Sequence, residues 1–139
     1  MSDCLIWIVD DDKDDIILVE QAFKECSFEI RIFTPSIANQ LIPELEKTYE
    51  REFPQLILLD INMPVISGKE LLSRIRADIR FRHIPVVMFT TSNSKKERIE
   101  CLQSGANCFL TKPGTYQHMV KICSSLATVF CTPEYSNHN

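Results

Sequence analysis

The feature that most constrains the fold is a run of four apolar residues that ends at an acid. Leu56 to Leu59 is too short for an ordinary helix and has the length of a strand buried on both faces. Asp60 ends the run, and turn-forming residues follow it, namely Asn62, Pro64, Ser67 and Gly68. Asp60 therefore lies where a buried parallel strand would reach the surface. In open α/β sheets, that edge is where ligands bind.

The composition predicts one ordinary globular domain. The chain has 139 residues, of which 45% are hydrophobic and 24% are charged. A net charge of −4 argues against a nucleic-acid surface, and no apolar run approaches the roughly 18 residues of a membrane span. We therefore expect a single domain over residues 1–139, with a core at about 4–130 and a short tail at 131–139. We expect no nucleic-acid or membrane partner.

Strand and helix patterns alternate along the whole chain. Strand-like runs occupy residues 4–9, 29–33, 56–59, 85–89 and 108–110. Helical patterns occupy residues 14–26, 36–51, 67–79, 94–103 and 115–130. Pro43 interrupts the second helix, which is either kinked there or begins there after a preliminary turn. Five strands and five helices in alternation predict a doubly wound parallel sheet with helices on both faces.

Polar side chains stand at four of the predicted strand ends. Asp10 and Asp11 follow the first strand, Asp60 the third, Thr90 the fourth and Lys112 the fifth. If these strands are neighbours, the five residues converge at one edge of the sheet. Each residue alone has an ordinary explanation as a helix cap or a strand end. The complete set is a much more specific signal.

This set of residues predicts metal-assisted phosphoryl chemistry. Three close carboxylates repel one another, so the site requires a cation. Oxygen ligands that leave room for water and a phosphate suit Mg²⁺. Lys112 and Thr90 are placed to bind phosphoryl oxygens, and the remaining carboxylate is placed to become an aspartyl phosphate.

Other acids and the cysteines receive plainer predictions. Asp12, Asp14 and Asp15 are expected to be solvated and to cap the first helix. The six cysteines include no C-x-x-C pair, and no histidine lies at metal-ligand spacing. We therefore expect reduced, mostly buried thiols in a cytosolic protein.

The motif D-I-N-M-P-x-x-x-G at residues 60–68, with the other strand ends, resembles the receiver domain of bacterial two-component response regulators, the CheY-like family. The resemblance covers residues 4–130 and implies a flavodoxin-like sheet with strand order 2-1-3-4-5. It implies that Asp60 is the phosphoacceptor. It also implies that Mg²⁺ or Mn²⁺ is bound by Asp10, Asp11 and Asp60, with the backbone carbonyl of Asn62.

The same resemblance assigns roles to the other strand ends and loops. Thr90 becomes the switch hydroxyl, and Lys112 becomes the lysine that contacts the phosphoryl group. Phe109 matches the switch aromatic, although a core aromatic is an equally good interpretation. Pro64 and Gly68 shape the loop that carries Asp60, and Pro113 is expected to follow a cis peptide bond.

The resemblance implies a stand-alone cytoplasmic receiver. It would take a phosphoryl group from a histidine kinase or a histidine phosphotransfer protein, and it would catalyse only its own phosphorylation and dephosphorylation. An output protein would read the face of helix 4, strand 5 and helix 5, which is also a possible homodimer interface. Two alternatives remain: a haloacid-dehalogenase-like phosphatase, although Asn62 stands where its second acid would be, and a degenerate receiver acting as a constitutive binding module.

Overall fold

The computed structural model describes residues 4–26, 30–34 and 38–131, with the backbone alone for 30–33. Five parallel strands form one sheet in the order β2-β1-β3-β4-β5, which confirms the expected order. The strands are β1 (Cys4–Val9), β2 (Ile30–Phe33), β3 (Leu56–Leu59), β4 (Val86–Thr90) and β5 (Cys108–Thr111). Each predicted strand is present to within about one residue at either end.

Five α-helices follow the strands in turn. They are α1 (Lys13–Lys24), α2 (Leu41–Lys47), α3 (Gly68–Ala77), α4 (Lys95–Gln103) and α5 (Tyr116–Phe130). Short 3₁₀ turns at Ala38–Gln40 and Glu50–Glu52 flank α2. No helix in the described part of the chain is both long and apolar enough to cross a membrane.

The helices cover the sheet on both faces, which explains the apolar runs. On one face, residues of α2, α3 and α4 pack against alternate strand residues such as Ile57 and Leu59. On the other face, α1 and α5 pack against Leu56 and Leu58. Every residue of β3 is therefore buried, as expected for a central parallel strand.

Side-chain caps fix where four of the helices begin. Asp12, Ser67, Ser94 and Thr115 each accept hydrogen bonds from backbone N–H groups in the first turn of α1, α3, α4 and α5. The predicted ends are less accurate. Both α1 and α3 end two residues before the predicted limit. Glu25 and Asp78 are the residues at which they stop.

The structure decides between the two possibilities for Pro43. A 3₁₀ turn precedes α2, and the helix begins at Leu41, two residues before the proline. Pro43 thus lies in the first turn, where a backbone N–H has no helical acceptor to lose. The prediction of a start after a preliminary turn is the closer one. Residue 29 and residues 36–37 of the predicted elements, and the tail at 132–139, lie outside the described residues.

The prediction that all six cysteines are reduced is wrong for one pair. Cys4 and Cys131 form a disulfide with a Cα–Cα separation of 5.4 Å. The residues are 127 apart in sequence, and only the fold brings the start of β1 beside the end of α5. The other four are free thiols, of which Cys101 and Cys123 are buried.

Candidate functional site

The predicted site residues converge at the carboxyl edge of the sheet. Strands β1, β3 and β4 are direct neighbours, with Val9 opposite Leu59 and Leu59 opposite Met88. Strand β5 completes this side of the sheet, with Thr90 opposite Thr111. The residues that follow these positions therefore meet at one edge.

Three acids form a compact cluster there. Asp10, Asp11 and Asp60 each offer a carboxylate oxygen, and these three oxygens lie within 4.8 Å of one another. Asp60 is only 8% exposed, and its Oδ1 accepts a hydrogen bond of 2.8 Å from the N–H of Ile61. Asp11 is exposed. Clustered hard oxygen donors with one open side fit a divalent cation such as Mg²⁺.

Lys112 reaches into this cluster. Its Nζ lies 2.6 Å from Asp10 Oδ2, 2.7 Å from Asp15 Oδ2 and 3.6 Å from Asp60 Oδ2. Its side chain is only 6% exposed. Burial opposes the charge, but the hydrogen bonds to Asp10 and Asp15 and the nearby charge of Asp60 outweigh it and raise the pKa of Lys112. Lys112 is therefore a fixed cation at neutral pH.

The single positive charge of Lys112 does not neutralise all of the acids around it. Burial raises the pKa of Asp10, against the lowering effects of Lys112 and of the Asp12 N–H, which donates to Asp10 Oδ1 at 2.9 Å. The negative charge of Asp60 raises it further. A second cation at this edge would relieve that cost, which is the physical reason the donor set fits a metal ion.

Asp15 is the site residue that the sequence prediction missed. It was expected to be a solvated capping acid, but its carboxylate binds Lys112 instead. Asp12 is a true cap, since its Oδ1 accepts from the N–H groups of Asp14 and Asp15. Spacing along α1 does not distinguish these acids, because the partner of Asp15 comes from a strand end 97 residues away.

The predicted switch residues are both buried. Thr90 is fully buried at the end of β4, and its backbone carbonyl accepts from the Lys112 N–H at 2.6 Å. Its Oγ1 accepts a weak hydrogen bond of 3.4 Å from the N–H of Ser92. Phe109 is 4% exposed and packs in the core on the α3 and α4 side, with the Arg98 guanidinium 5.4 Å from its ring centre. In this state, Phe109 has the position of a core aromatic.

The loop from β3 to α3 is shaped around Asp60. Gly68 donates its N–H to the carbonyl of Ile61, at 2.9 Å. A Cβ on Gly68 would lie 1.9 Å from the carbonyl oxygen of Asp60, so no larger residue fits without moving this backbone. Asn62 and Pro64 are exposed on the loop. Val65 adopts a positive φ of 71°, which is unfavourable for a β-branched residue.

The loop from β5 to α5 corrects one prediction. No peptide bond is cis in the described residues, so the Lys112–Pro113 bond is trans and the expected cis bond is wrong. The trans form is the lower-energy state of most X–Pro bonds, and nothing in the sequence around Pro113 requires the cis form.

An open groove of about 610 Å³ adjoins the acids. Asp10 and Asp11 line it on one side, and Pro64 and Val65 line it on another. Residues at the start of α1, including Ile16 and Ile17, complete the wall beside them. The cluster is therefore accessible to a molecule from solution.

Known proteins share this fold and pattern. The family model "Response regulator receiver domain" matches residues 6–124. Response regulator Rcp1 of Synechocystis sp. is 31% identical over 125 residues, covering 88% of this chain and 85% of that protein. The crystal structure of the Mn²⁺-bound form of Rcp1 has a TM-score of 0.78 at 29% identity, covering 90% of this chain and 92% of that one.

A second solved structure is also similar over nearly the whole length. The phosphorylated cyanobacterial phytochrome response regulator RcpA matches with a TM-score of 0.85 and 26% identity, covering 94% of this chain and 96% of that one. The family match spans most of the chain and agrees with the observed strand order and acidic edge. This chain therefore belongs to the response regulator receiver domain family.

Proposed function

We propose that this receiver accepts a phosphoryl group on Asp60 from a histidine kinase or a histidine phosphotransfer protein. One observation carries the proposal: three carboxylates and a buried lysine meet at the edge of the sheet beside an open groove. The phosphorylated state of the similar protein RcpA supports it. The chain then acts as a signalling protein that catalyses only its own phosphorylation and dephosphorylation.

The chemistry assigns a role to each residue at this edge. A carboxylate oxygen of Asp60 attacks phosphorus, and the bond from phosphorus to the donor's nitrogen or oxygen breaks, with its electron pair leaving on the donor. The Ile61 N–H holds Oδ1 of Asp60, while Oδ2 faces Lys112. Lys112 then stabilises negative charge on a phosphoryl oxygen, and the Thr90 hydroxyl binds another.

We propose that Mg²⁺, or Mn²⁺, is bound by Asp10, Asp11 and Asp60 with the backbone carbonyl of Asn62. The close oxygens of the three acids and the Mn²⁺-bound form of Rcp1 support this set. The ion would neutralise charge on the acids and on the transferring phosphoryl oxygens. Asp10 and Asp11 thus act as ligands, and Pro64, Gly68 and Pro113 shape the loops around them.

We further propose that the output is a protein–protein contact on α4, β5 and α5. Recruitment of Thr90 and Lys112 by the phosphoryl group would change the loop after β4 and the surroundings of Phe109. Exposed apolar residues on α4 support an interaction there, since Ile99 is 53% and Leu102 44% exposed. An output protein or a second copy of this chain is the proposed partner.

We propose a single receiver domain over residues 1–139, with its core at about 4–130, in the cytoplasm. The family match over residues 6–124 supports the domain, and four free thiols fit a reducing compartment.

Phosphoryl incorporation from acetyl phosphate tests the proposed function. Wild-type protein with Mg²⁺ is expected to gain one adduct of about 80 Da by intact-protein mass spectrometry, because a single acceptor is available. Asp60→Asn is expected to gain none, and omission of Mg²⁺ is expected to slow the reaction strongly. Asp14→Asn is the control, since Asp14 is an exposed acid on the nearby first turn of α1.

The other outcomes identify the alternatives. An adduct that persists in Asp60→Asn contradicts the assignment of the acceptor. Steady phosphate release without an adduct indicates a phosphatase of the haloacid-dehalogenase type. Neither adduct nor release indicates a constitutive binding module.

A further inference from the structure

We propose that Asp15 is a positioning residue that holds the ammonium group of Lys112 beside the phosphoacceptor rather than on it. The proposal rests on the function proposed above, in which Asp60 accepts the phosphoryl group and Lys112 contacts it. Asp15 itself touches neither the phosphoryl group nor the metal ion, and it acts through Lys112.

The distances around Lys112 carry this proposal. Its Nζ makes short hydrogen bonds to Asp10 and to Asp15, at 2.6 and 2.7 Å. Asp60 Oδ2 lies 3.6 Å away, beyond hydrogen-bond distance. Two of the three ammonium protons are therefore used by the flanking acids, and the third remains available on the side of Asp60.

The first turn of α1 explains why Asp15 is free for this task. In a capping box, an acidic side chain at the third position of a helix accepts a hydrogen bond from the backbone N–H of the cap residue. Here the N–H of the cap residue, Asp12, donates to Asp10 Oδ1 at 2.9 Å. Asp10 thus accepts the hydrogen bond that Asp15 would accept in a capping box. The carboxylate of Asp15 accepts a hydrogen bond from Lys112 instead.

Asp15 matters most when Asp10 has another partner. Asp10 and Asp60 are both proposed metal ligands, so without Asp15 the acids around Lys112 would all be ligands. The ammonium group would then compete with a divalent cation for the same oxygens. Asp15 gives Lys112 an acid of its own, which separates the two positive charges and leaves one ammonium proton for a phosphoryl oxygen.

Calorimetric titration of Mg²⁺ into the full chain measures this effect. Asp15→Ala is expected to weaken Mg²⁺ binding about tenfold, the scale of one charge-assisted hydrogen bond. Asp14→Ala is the matched control, because it removes the same charge from the neighbouring position on the same turn, where the side chain is exposed. Its expected effect is about twofold or less. Asp15→Asn, which keeps an acceptor oxygen, replaces Asp15→Ala if thermal unfolding shows that the alanine variant is not folded.

A double-mutant cycle shows whether Asp15 acts through Lys112. In a Lys112→Met background, Asp15→Ala is expected to change Mg²⁺ affinity no more than Asp14→Ala does. A readout without metal accompanies it. The ¹H–¹⁵N signal of the Lys112 ammonium group is expected to be visible in wild type and Asp14→Ala and to be lost through faster proton exchange in Asp15→Ala.

Equal effects of Asp15→Ala and Asp14→Ala would overturn the proposal, as would an Asp15 effect that persists unchanged with Lys112→Met. Either result leaves the proposed function intact if wild type binds Mg²⁺ and forms the adduct. If wild type binds no Mg²⁺, the proposed metal site fails instead. The ammonium signal then still decides whether Asp15 holds Lys112.

Discussion

The two edges of the sheet each hold a partly buried cation, and the two cations have opposite kinds of partner. At the carboxyl edge, Lys112 faces the carboxylates of Asp10, Asp15 and Asp60. At the amino edge, Arg76 donates to the carbonyl oxygens of Gly105, Arg82 and Ile84 and to the side-chain oxygen of Asn107. The pKa of Lys112 is raised by its acids, whereas burial lowers the pKa of Arg76.

This difference in partners indicates that the carboxyl edge is suited to binding ligands, whereas the contacts of Arg76 at the amino edge are structural. Carboxylates around a point charge can exchange it for another cation, so the carboxyl edge would be able to change its charge on arrival of the proposed metal ion or phosphoryl group. Neutral carbonyls around a planar guanidinium have no such alternative, because their hydrogen bonds are fixed in direction. Arg76 therefore ties the end of α3 to the segments before β4 and β5, and Lys112 does not play that role.

The largest effect is expected at Gly68, where the backbone of the carboxyl edge leaves no room for a Cβ. A Cβ at this position would meet the Asp60 carbonyl oxygen at 1.9 Å, so Gly68→Ala must displace the backbone that carries the proposed phosphoacceptor. We expect a loss of about 3 kcal/mol or more in the free energy of unfolding, measured by urea denaturation. Phosphoryl incorporation by the folded fraction is expected to fall as well, because Asp60 moves.

Gly114→Ala is the control for Gly68→Ala. Gly114 lies in the loop after Lys112, and a Cβ there would have no heavy atom within 4 Å. We expect a change below about 0.5 kcal/mol. Similar losses for the two variants would show that flexibility of the glycines, rather than close packing on Asp60, controls the stability of this edge.

At the amino edge, Arg76→Ala is expected to lower stability by about 2 kcal/mol, because it removes the guanidinium donor from the half-buried carbonyl oxygens of Gly105 and Ile84. Mg²⁺ affinity and phosphoryl incorporation are expected to stay within about twofold of wild type when measured below the unfolding transition. This result would show that Arg76 at the amino edge contributes to stability and not to Mg²⁺ binding or phosphoryl incorporation.

Arg74→Ala is the control on the same helix. Arg74 makes an exposed ion pair with Glu70 four residues earlier, and such pairs contribute about 0.3–0.5 kcal/mol. If Arg76→Ala lowers Mg²⁺ affinity strongly while Arg74→Ala does not, the amino edge is coupled to the site at the carboxyl edge. The assignment of a purely structural role to Arg76 is then wrong.

The strand ends were predictable from the sequence because two simple patterns meet there. Apolar runs of strand length located β1, β3, β4 and β5, and an acid, a threonine or a lysine followed each of them. Parallel pairing then brings these ends together without further information. The helical patterns predicted from residues 67 and 94 likewise begin within one residue of α3 and α4.

The rest depends on contacts that no local pattern encodes. Asp15 and Asp14 are adjacent acids on one helix turn, and only the position of Lys112 distinguishes them. Cys4 and Cys131 meet because α5 ends beside the start of β1. Long-range side-chain partners thus set the limit of prediction from sequence.

The smallest expected effect concerns backbone strain at the carboxyl edge. Among the described non-glycine residues, Val65 alone has a positive φ, and it is 86% exposed. Asparagine tolerates this conformation better than a β-branched residue, so Val65→Asn is expected to raise the free energy of unfolding by about 1 kcal/mol in urea denaturation. Val65→Thr keeps the branched Cβ and is expected to gain almost nothing. An equal gain from Val65→Thr would attribute the effect to the polarity of the new side chain. Backbone strain would then no longer distinguish the carboxyl edge from the amino edge.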